Sequence, residues 1–432
     1  MNFRLFSNKI IKNASWIVIG KIAQSVLGFI VGMLTARYLG PSNYGIINYA
    51  ASLVAFVVPI MNLGFSNILV QEIVLDKSNE GKILGSSILL SLVSSLACMI
   101  GIFVAASILN PGERETIIVC VLYSILLIFQ AADLIQYWFQ ANYLSKYSSI
   151  VSLCAYGIVS AYKIFLLATN KSVYWFAVSN AFDYMLISVL LLILYSRLGG
   201  GKLSFSWNTA KALFSKSKHY IVSSLMVTIF AQTDKIMLKL MIDETATGYY
   251  AAAVACAAVT GFIFSAIIDS FRPTIFESKK QSEEKYERNM SRLYCIVFYL
   301  SLIQCIGITV FAELMIKILY GEDFISAVNP LRVVVWYTTY AYFGSIRNIW
   351  ILAENKQQYL WIINLSGALT NVLLNYLLIP LWGIVGAAIA SLITQFFTNV
   401  IVNYLIPPIR HNNALMFRGL NPNLILELIK KK

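Results

Sequence analysis

Charge is scarce in this chain of 432 residues: Asp, Glu, Lys and Arg make up 12%, and only 20 residues are acidic. A soluble protein of this size needs a charged surface, so the scarcity excludes an ordinary water-soluble fold. Histidine is almost missing. With only His219 and His411, a metal centre or an imidazole base has little material, and neither metal nor cofactor is expected. The cysteines Cys98, Cys120, Cys154, Cys256, Cys295 and Cys305 stand singly in apolar runs without a CxxC pair. They read as small core residues, not as disulfides or metal ligands. There is no Walker sequence, so ATP hydrolysis by the chain itself is not expected. No polar segment is large enough for a soluble catalytic domain, and the chain reads as a non-enzyme.

What the sequence does hold is apolar length. Twelve stretches read as membrane spans: 14–36, 43–66, 83–107, 116–138, 150–169, 174–195, 219–241, 246–270, 293–315, 329–352, 360–379 and 383–406. Each is close to the ~20 helical residues needed to cross a hydrocarbon layer of about 30 Å. Hydrophobic residues make up 59% and the mean hydropathy is +0.72. The fold class is therefore an all-α polytopic membrane protein with about twelve transmembrane helices. The first stretch is too long for a signal peptide and no small-residue cleavage site follows it.

The net charge of +13 is an orientation signal. Basic residues concentrate in alternate connections: Arg4, Lys9 and Lys12; Lys77 and Lys82; Lys146; Arg197 to Lys218; Arg272 to Arg292; Lys356; and Arg410, Arg418 and Lys430 to Lys432. The other connections hold only Arg37, Arg114, Lys171, Lys239 and Lys317. Positive-inside bias then places both termini in the cytoplasm, with contact to anionic membrane lipids and no role for nucleic acid.

The polar stretch Ser196–Lys218, with Gly199, Gly200 and Gly201, divides the spans evenly. The expected organisation is an N-terminal lobe (1–198, helices 1–6), a cytoplasmic linker (199–218) and a C-terminal lobe (219–432, helices 7–12) with a short tail. The triple glycine reads as a flexible connector. The halves also match weakly. A shift of 203 places Gly45 on Gly248 and Ala50 on Ala253, and a shift of 212 places Tyr147 on Tyr359 and Ser179 on Ser391. Six helices per half keep both lobes in one orientation, a parallel repeat that places the substrate path between two pseudo-symmetric lobes.

Ionisable side chains inside spans cost several kcal/mol unless they pair, reach the interface or face a polar cavity. Arg332 is near enough to an end to snorkel. Arg347, Asp269 and Asp133 lie near boundaries, where interfacial and functional readings both stand. Lys163 is deeper but can still stretch outward. Lys21, Asp183, Asp234 and Lys235 are hardest to explain as interfacial. Lys21 and Lys235 sit on the first helices of the two lobes and suit an anion in a central cleft. Arg37, Lys163 and Arg347 are further candidate cleft cations. Asp234, Asp183 and Asp269 are candidate sites for a coupling ion, H⁺ or Na⁺; the alternative is that Asp234 neutralises a basic neighbour in its own lobe. Asn364, Asn371, Asn375 and Asn399 suit either ligand contact or bonds between helices.

Several segments resemble one family. Thr35-Ala36-Arg37-Tyr38-Leu39-Gly40-Pro41-Ser42-Asn43-Tyr44-Gly45 with Asn62-Leu63-Gly64-Phe65 is similar to the first hairpin of bacterial polysaccharide exporters of the O-antigen and capsule repeat-unit flippase type. Gln232-Thr233-Asp234-Lys235-Ile236-Met237-Leu238, Tyr320-Gly321-Glu322-Asp323-Phe324 and Gly383-Ile384-Val385-Gly386-Ala387-Ala388 resemble later parts of the same family, in the same order. The resemblance implies the multidrug/oligosaccharidyl-lipid/polysaccharide exporter fold, two six-helix lobes working by alternating access. It implies translocation of undecaprenyl-diphosphate-linked oligosaccharide across the bacterial plasma membrane, beside other polysaccharide-assembly membrane proteins. Lys21 and Lys235 would then meet the diphosphate. The rivals are a drug/cation antiporter and a peptidoglycan-precursor flippase of the same superfamily. A repeat-unit polymerase would need a larger outer loop.

Overall fold

The structure, a computed structural model, describes residues 3–424, leaving aside the side chains of residues 3–19 and of Lys21. The described residues are almost entirely helical, and no strand occurs among them. The helices are α1 (Phe3–Met61), α2 (Leu69–Leu75), α3 (Glu80–Leu109), α4 (Arg114–Ser124), α5 (Leu126–Ala132), α6 (Gln136–Ala141), α7 (Ser145–Ala168) and α8 (Val173–Arg197). They continue as α9 (Trp207–Met241), α10 (Glu244–Ala258), α11 (Gly261–Gln281), α12 (Glu283–Leu319), α13 (Val328–Ala353), α14 (Leu360–Phe396), α15 (Val402–Leu405) and α16 (His411–Arg418).

Among the described residues, eight helices are long and apolar enough to cross a membrane, or nine if the bent pair α10–α11 is one span. Two of them are too long for one crossing: a straight 40-residue helix would run ~60 Å, and Ile22–Met61 has that length. It breaks at Gly40, whose φ of 72° and ψ of 172° are not helical. Pro41 follows, with no N–H to donate to the preceding turn. The run Gln357–Leu405 breaks in the same way at Gly383 (φ 57°, ψ −132°), shortly after Pro380. A side chain at either glycine would be strained. With these breaks, the helices follow the predicted stretches in order and are consistent with twelve crossings.

The chain forms two compact units, Met1–Gln232 and Thr233–Lys432, dividing inside α9. In the first, α1 packs on α4 and α7, and α5 on α3 and α8. Its core includes Phe65, Leu69, Trp138, Phe139 and Tyr195, with Trp138 meeting Phe139 and Tyr195 edge-on at 5.1 and 4.9 Å, a favoured aromatic geometry. In the second, α13 packs on α10, α12 and α14. Phe264 stacks on Tyr342 at 4.0 Å within a core that includes Tyr294, Phe343 and Trp350.

The stretch expected to be a flexible connector is tied down. Gly201 N donates to Glu80 Oε1 (3.0 Å), Ser204 N to the Gly81 carbonyl (3.2 Å) and Ser206 N to Ser86 Oγ (3.0 Å). The Tyr195 hydroxyl donates to the Gly201 carbonyl. The sequence favours this contact because Gly81 and Gly85 lack side chains. A Cβ at Gly81 would lie 2.3 Å from the Lys202 carbonyl oxygen, and one at Gly85 would lie 2.5 Å from that of Ser204. Helix α9 begins directly after, where Ser206 Oγ accepts from Thr209 N at 3.4 Å as an N-cap. Residues 207–218 are thus helical and continuous with the predicted seventh span. None of the six cysteines forms a disulfide; five are buried as expected, while Cys154 is exposed.

Candidate functional site: a buried carboxylate in the second unit

Asp234 is 7% exposed, and its carboxylate gathers three helices. Tyr250 on α10 donates to Oδ2 at 2.5 Å, and the Ser391 hydroxyl on α14 donates to the same oxygen. Asn371 and Asn375, also on α14, donate to Oδ1 at 3.0 and 2.6 Å. Their i,i+4 spacing puts both amides on one helix face. Asn375 also donates to Asn371 Oδ1 at 3.2 Å, and Tyr250 Oη lies 3.2 Å from Ser391 Oγ. Ser391 comes from beyond the Gly383 break and the two asparagines from before it. The break is what lets one helix supply ligands from two directions.

The chemistry is unusual for a membrane interior. Four neutral groups donate to one carboxylate, and among the described residues no cation lies within salt-bridge distance of it. Lys235 of the same helix lies within electrostatic reach of it without forming a salt bridge. Hydrogen bonds offset part of the desolvation of a buried charge. Asn375 Oδ1 is buried there without a partner. An acceptor-rich pocket of carboxylate, amide and hydroxyl oxygens is able to take a proton or a small hard cation.

Lys235, next in sequence, is part-buried. Its carbonyl accepts from Thr247 Oγ1 at 3.2 Å, and its ammonium has no hydrogen-bond or salt-bridge partner among the described residues. It does not join the carboxylate cluster, as the 100° turn between adjacent helical residues requires. The Lys21 side chain lies outside the described residues.

The remaining candidates separate. In the first unit Lys163 Nζ donates to Asn180 Oδ1 at 3.0 Å, and Asp183 lies within its electrostatic reach. Asp183 Oδ1 is buried without a hydrogen-bond partner. Asp133 accepts from Gln136 at 2.6 Å and feels the charge of Asp183. Arg37 is exposed. In the second unit Asp269 is 54% exposed and pairs with Arg272 at 3.2 Å, apart from Asp234. Arg347 is 5% exposed and bonds neutral acceptors: Asn399 Oδ1 (3.0 Å), Asn348 Oδ1 (3.1 Å) and the Thr398 carbonyl (3.4 Å). Thr398 and Asn399 lie in a π-helical turn, Phe397–Ile401. Among the described residues no group of three or more His, Cys, Asp or Glu side chains is placed to hold a metal.

Tyr250 and Ser391 were not singled out from the sequence. Tyrosine occurs 25 times, and nothing in the spacing of either residue marks it. Asn371 and Asn375 carried a signal, two amides one helical turn apart in an apolar span.

The helical architecture is similar to that of solved multi-span membrane transporters. The structure matches a lipid II flippase MurJ, in an inward closed conformation, with a TM-score of 0.73 and 13% identity, over 96% of this chain and 92% of that one. It matches an inward-facing MATE family multidrug transporter of the MOP superfamily with a TM-score of 0.66 and 16% identity, over 93% and 98%. At such identities the likeness is one of fold. The family is set by sequence: the chain belongs to the polysaccharide biosynthesis protein family, whose model matches residues 10–279. A putative O-antigen transporter of Shigella flexneri is 24% identical, over 88% of this chain and 94% of that protein. The capsular polysaccharide biosynthesis protein CapF of Staphylococcus aureus is 20% identical, over 89% and 96%.

Proposed function

We propose that this protein is a flippase, carrying an undecaprenyl-diphosphate-linked oligosaccharide repeat unit from the cytoplasmic to the outer face of a bacterial plasma membrane. The observation that carries the reading is the family match over residues 10–279 in a chain with a flippase fold. The chemistry of the substrate suits the residues. A diphosphate needs fixed cations, for which Lys21 and the ammonium of Lys235 are the first candidates, with Arg37, Lys163 and Arg347 as further ones. The lipid tail remains in the bilayer, and the lobes 1–198 and 219–432 alternate access around the sugar.

Asp234 supplies the coupling. When protonated or bound to Na⁺ the carboxylate is neutral; when empty it is a charge in an apolar interior, held by four hydrogen bonds. Exchange between these states drives one lobe between two packings, and Asp183 is a second candidate in the other unit. Both termini face the cytoplasm, where other polysaccharide-assembly membrane proteins would meet the chain. Expression in a bacterium lacking its own O-antigen flippase tests the substrate class. Restored surface polysaccharide is the expected result. Drug efflux without restored polysaccharide would instead make the chain an antiporter of the same fold.

A further inference from the structure

The non-helical segment between α8 and α9 has a second face. While the backbone of Gly201, Ser204 and Ser206 is bonded to α3, the large apolar side chains of Leu203, Phe205 and Trp207 stay exposed. Leu203 is 37% exposed, Phe205 46% and Trp207 67%. Phe205 and Trp207 lie against each other with centroids 6.2 Å apart. The segment and the helices that adjoin it carry four exposed cations: Lys82 on α3, Arg197 at the end of α8, Lys202 on the segment and Lys211 on α9. Among the described residues none of the four forms a salt bridge, although Lys82 lies within electrostatic reach of Asp76. Glu72 pairs with Lys216 at 2.7 Å, Asp76 accepts from Ser78 and Asn79, and Glu80 accepts from Gly201 N.

Position selects the occupant. The segment follows α3 from Glu80 to Ser86, where the predicted span 83–107 begins. That is ~9 Å of helix axis, a little more than the roughly 5–7.5 Å of one headgroup layer. Tryptophan is enriched at this level because its ring is apolar and its N–H is wet. Irregular backbone is tolerated here only where protein or water satisfies it, and the bonds to α3 meet that condition on the inner side.

We propose that residues 201–207 are an interfacial lipid anchor. Leu203, Phe205 and Trp207 insert at the headgroup–acyl boundary, and Lys82, Arg197, Lys202 and Lys211 bind the phosphates of anionic phospholipids. The anchor fixes the first turn of α9, the helix that carries Asp234 and Lys235. Because the segment is held by α3, little conformational entropy is lost when lipid binds.

The test uses the full-length protein in bilayers of phosphatidylcholine with or without phosphatidylglycerol, and it needs no transport substrate. Trp207 fluorescence is read as the difference between the parent and Trp207→Phe, a change at an exposed ring that leaves the packing intact. Lipids brominated on their upper acyl carbons should quench that difference signal, and aqueous iodide should not. Phosphatidylglycerol should be enriched around the parent in native mass spectra. Enrichment should fall about five-fold for each charge removed in Lys202→Gln and Lys211→Gln, the effect of one basic residue at an anionic surface. Gly81→Val, which drives a side chain into the Lys202 carbonyl, should release the segment and abolish the lipid quenching. A Trp207 signal quenched by iodide and not by brominated lipid would overturn the proposal. So would shielding of Trp207 that occurs only in native membranes, which would assign the face to a protein partner.

Discussion

Asp234 is a carboxylate held by hydroxyls and amides where a membrane protein would ordinarily supply a cation. Replacing it by alanine would leave the donors of Tyr250, Ser391, Asn371 and Asn375 unmatched, at about 1–3 kcal/mol for each buried group left unsatisfied. Asp234→Ala should therefore lower the thermal midpoint of the purified protein clearly, whereas isosteric Asp234→Asn should lower it less. Tyr250→Phe removes a single charged hydrogen bond and should cost about 1.5–3 kcal/mol in the same measurement. Arg347 poses a different question, since its planar fork spans Asn348, Thr398 and Asn399. Arg347→Lys keeps the charge but cannot reproduce the fork, so it should destabilise the protein more than Arg332→Lys at the exposed start of α13. From the sequence, Asp234 stood out because an acid deep in an apolar span needs a reason. Of its partners Asn371 and Asn375 carried a signal, but Tyr250 and Ser391 did not, because serine and tyrosine cost little in a helix and their convergence depends on the bend at Gly383.

At the scale of elements, the spans were legible because length and apolarity follow from bilayer thickness. The break at Gly40 falls in the gap between the predicted spans 14–36 and 43–66. The segment after Gly199 was misread: composition alone gives glycine as flexibility, while the restraint comes from bonds to glycines on another helix. Gly→Ala in a helix ordinarily stabilises by about 0.8–1 kcal/mol. At Gly81 and Gly85 the added methyl would meet the carbonyls of Lys202 and Ser204. Gly81→Ala and Gly85→Ala should therefore destabilise, with faster amide exchange at residues 201–206. The turn before α3 gives a pH signature. Asn79 and Ser78 donate to Asp76 and hold its carboxyl below the ordinary carboxylate range. Its contribution is present above the unfolded-state value and is lost as pH falls through the folded one. Amide exchange at residues 77–80 should rise on acidification, and Asp76→Asn should remove that dependence.

For the molecule as a whole, the distribution of Lys and Arg fixes the expected topology more directly than helix counting does. Reporter fusions after Ser215 and Gln281 should read cytoplasm, and those after Pro111 and Asp323 should read the outside. An external Ser215 would reverse the orientation and with it the direction of transport. The two units each close their own core, as expected of bodies that move as wholes, and a coupling ion need bind only one of them to shift the balance. Substrate and coupling meet in one measurement. The purified protein is reconstituted with a lipid-linked oligosaccharide, and its flipping rate is followed under imposed pH and Na⁺ gradients, alongside Asp234→Asn. The expected result is a parent rate that responds to one of the gradients and an Asp234→Asn variant that is folded but indifferent to both. A parent rate that ignores both gradients, or an Asp234→Asn variant that responds as the parent does, would contradict ion-coupled flipping through this carboxylate.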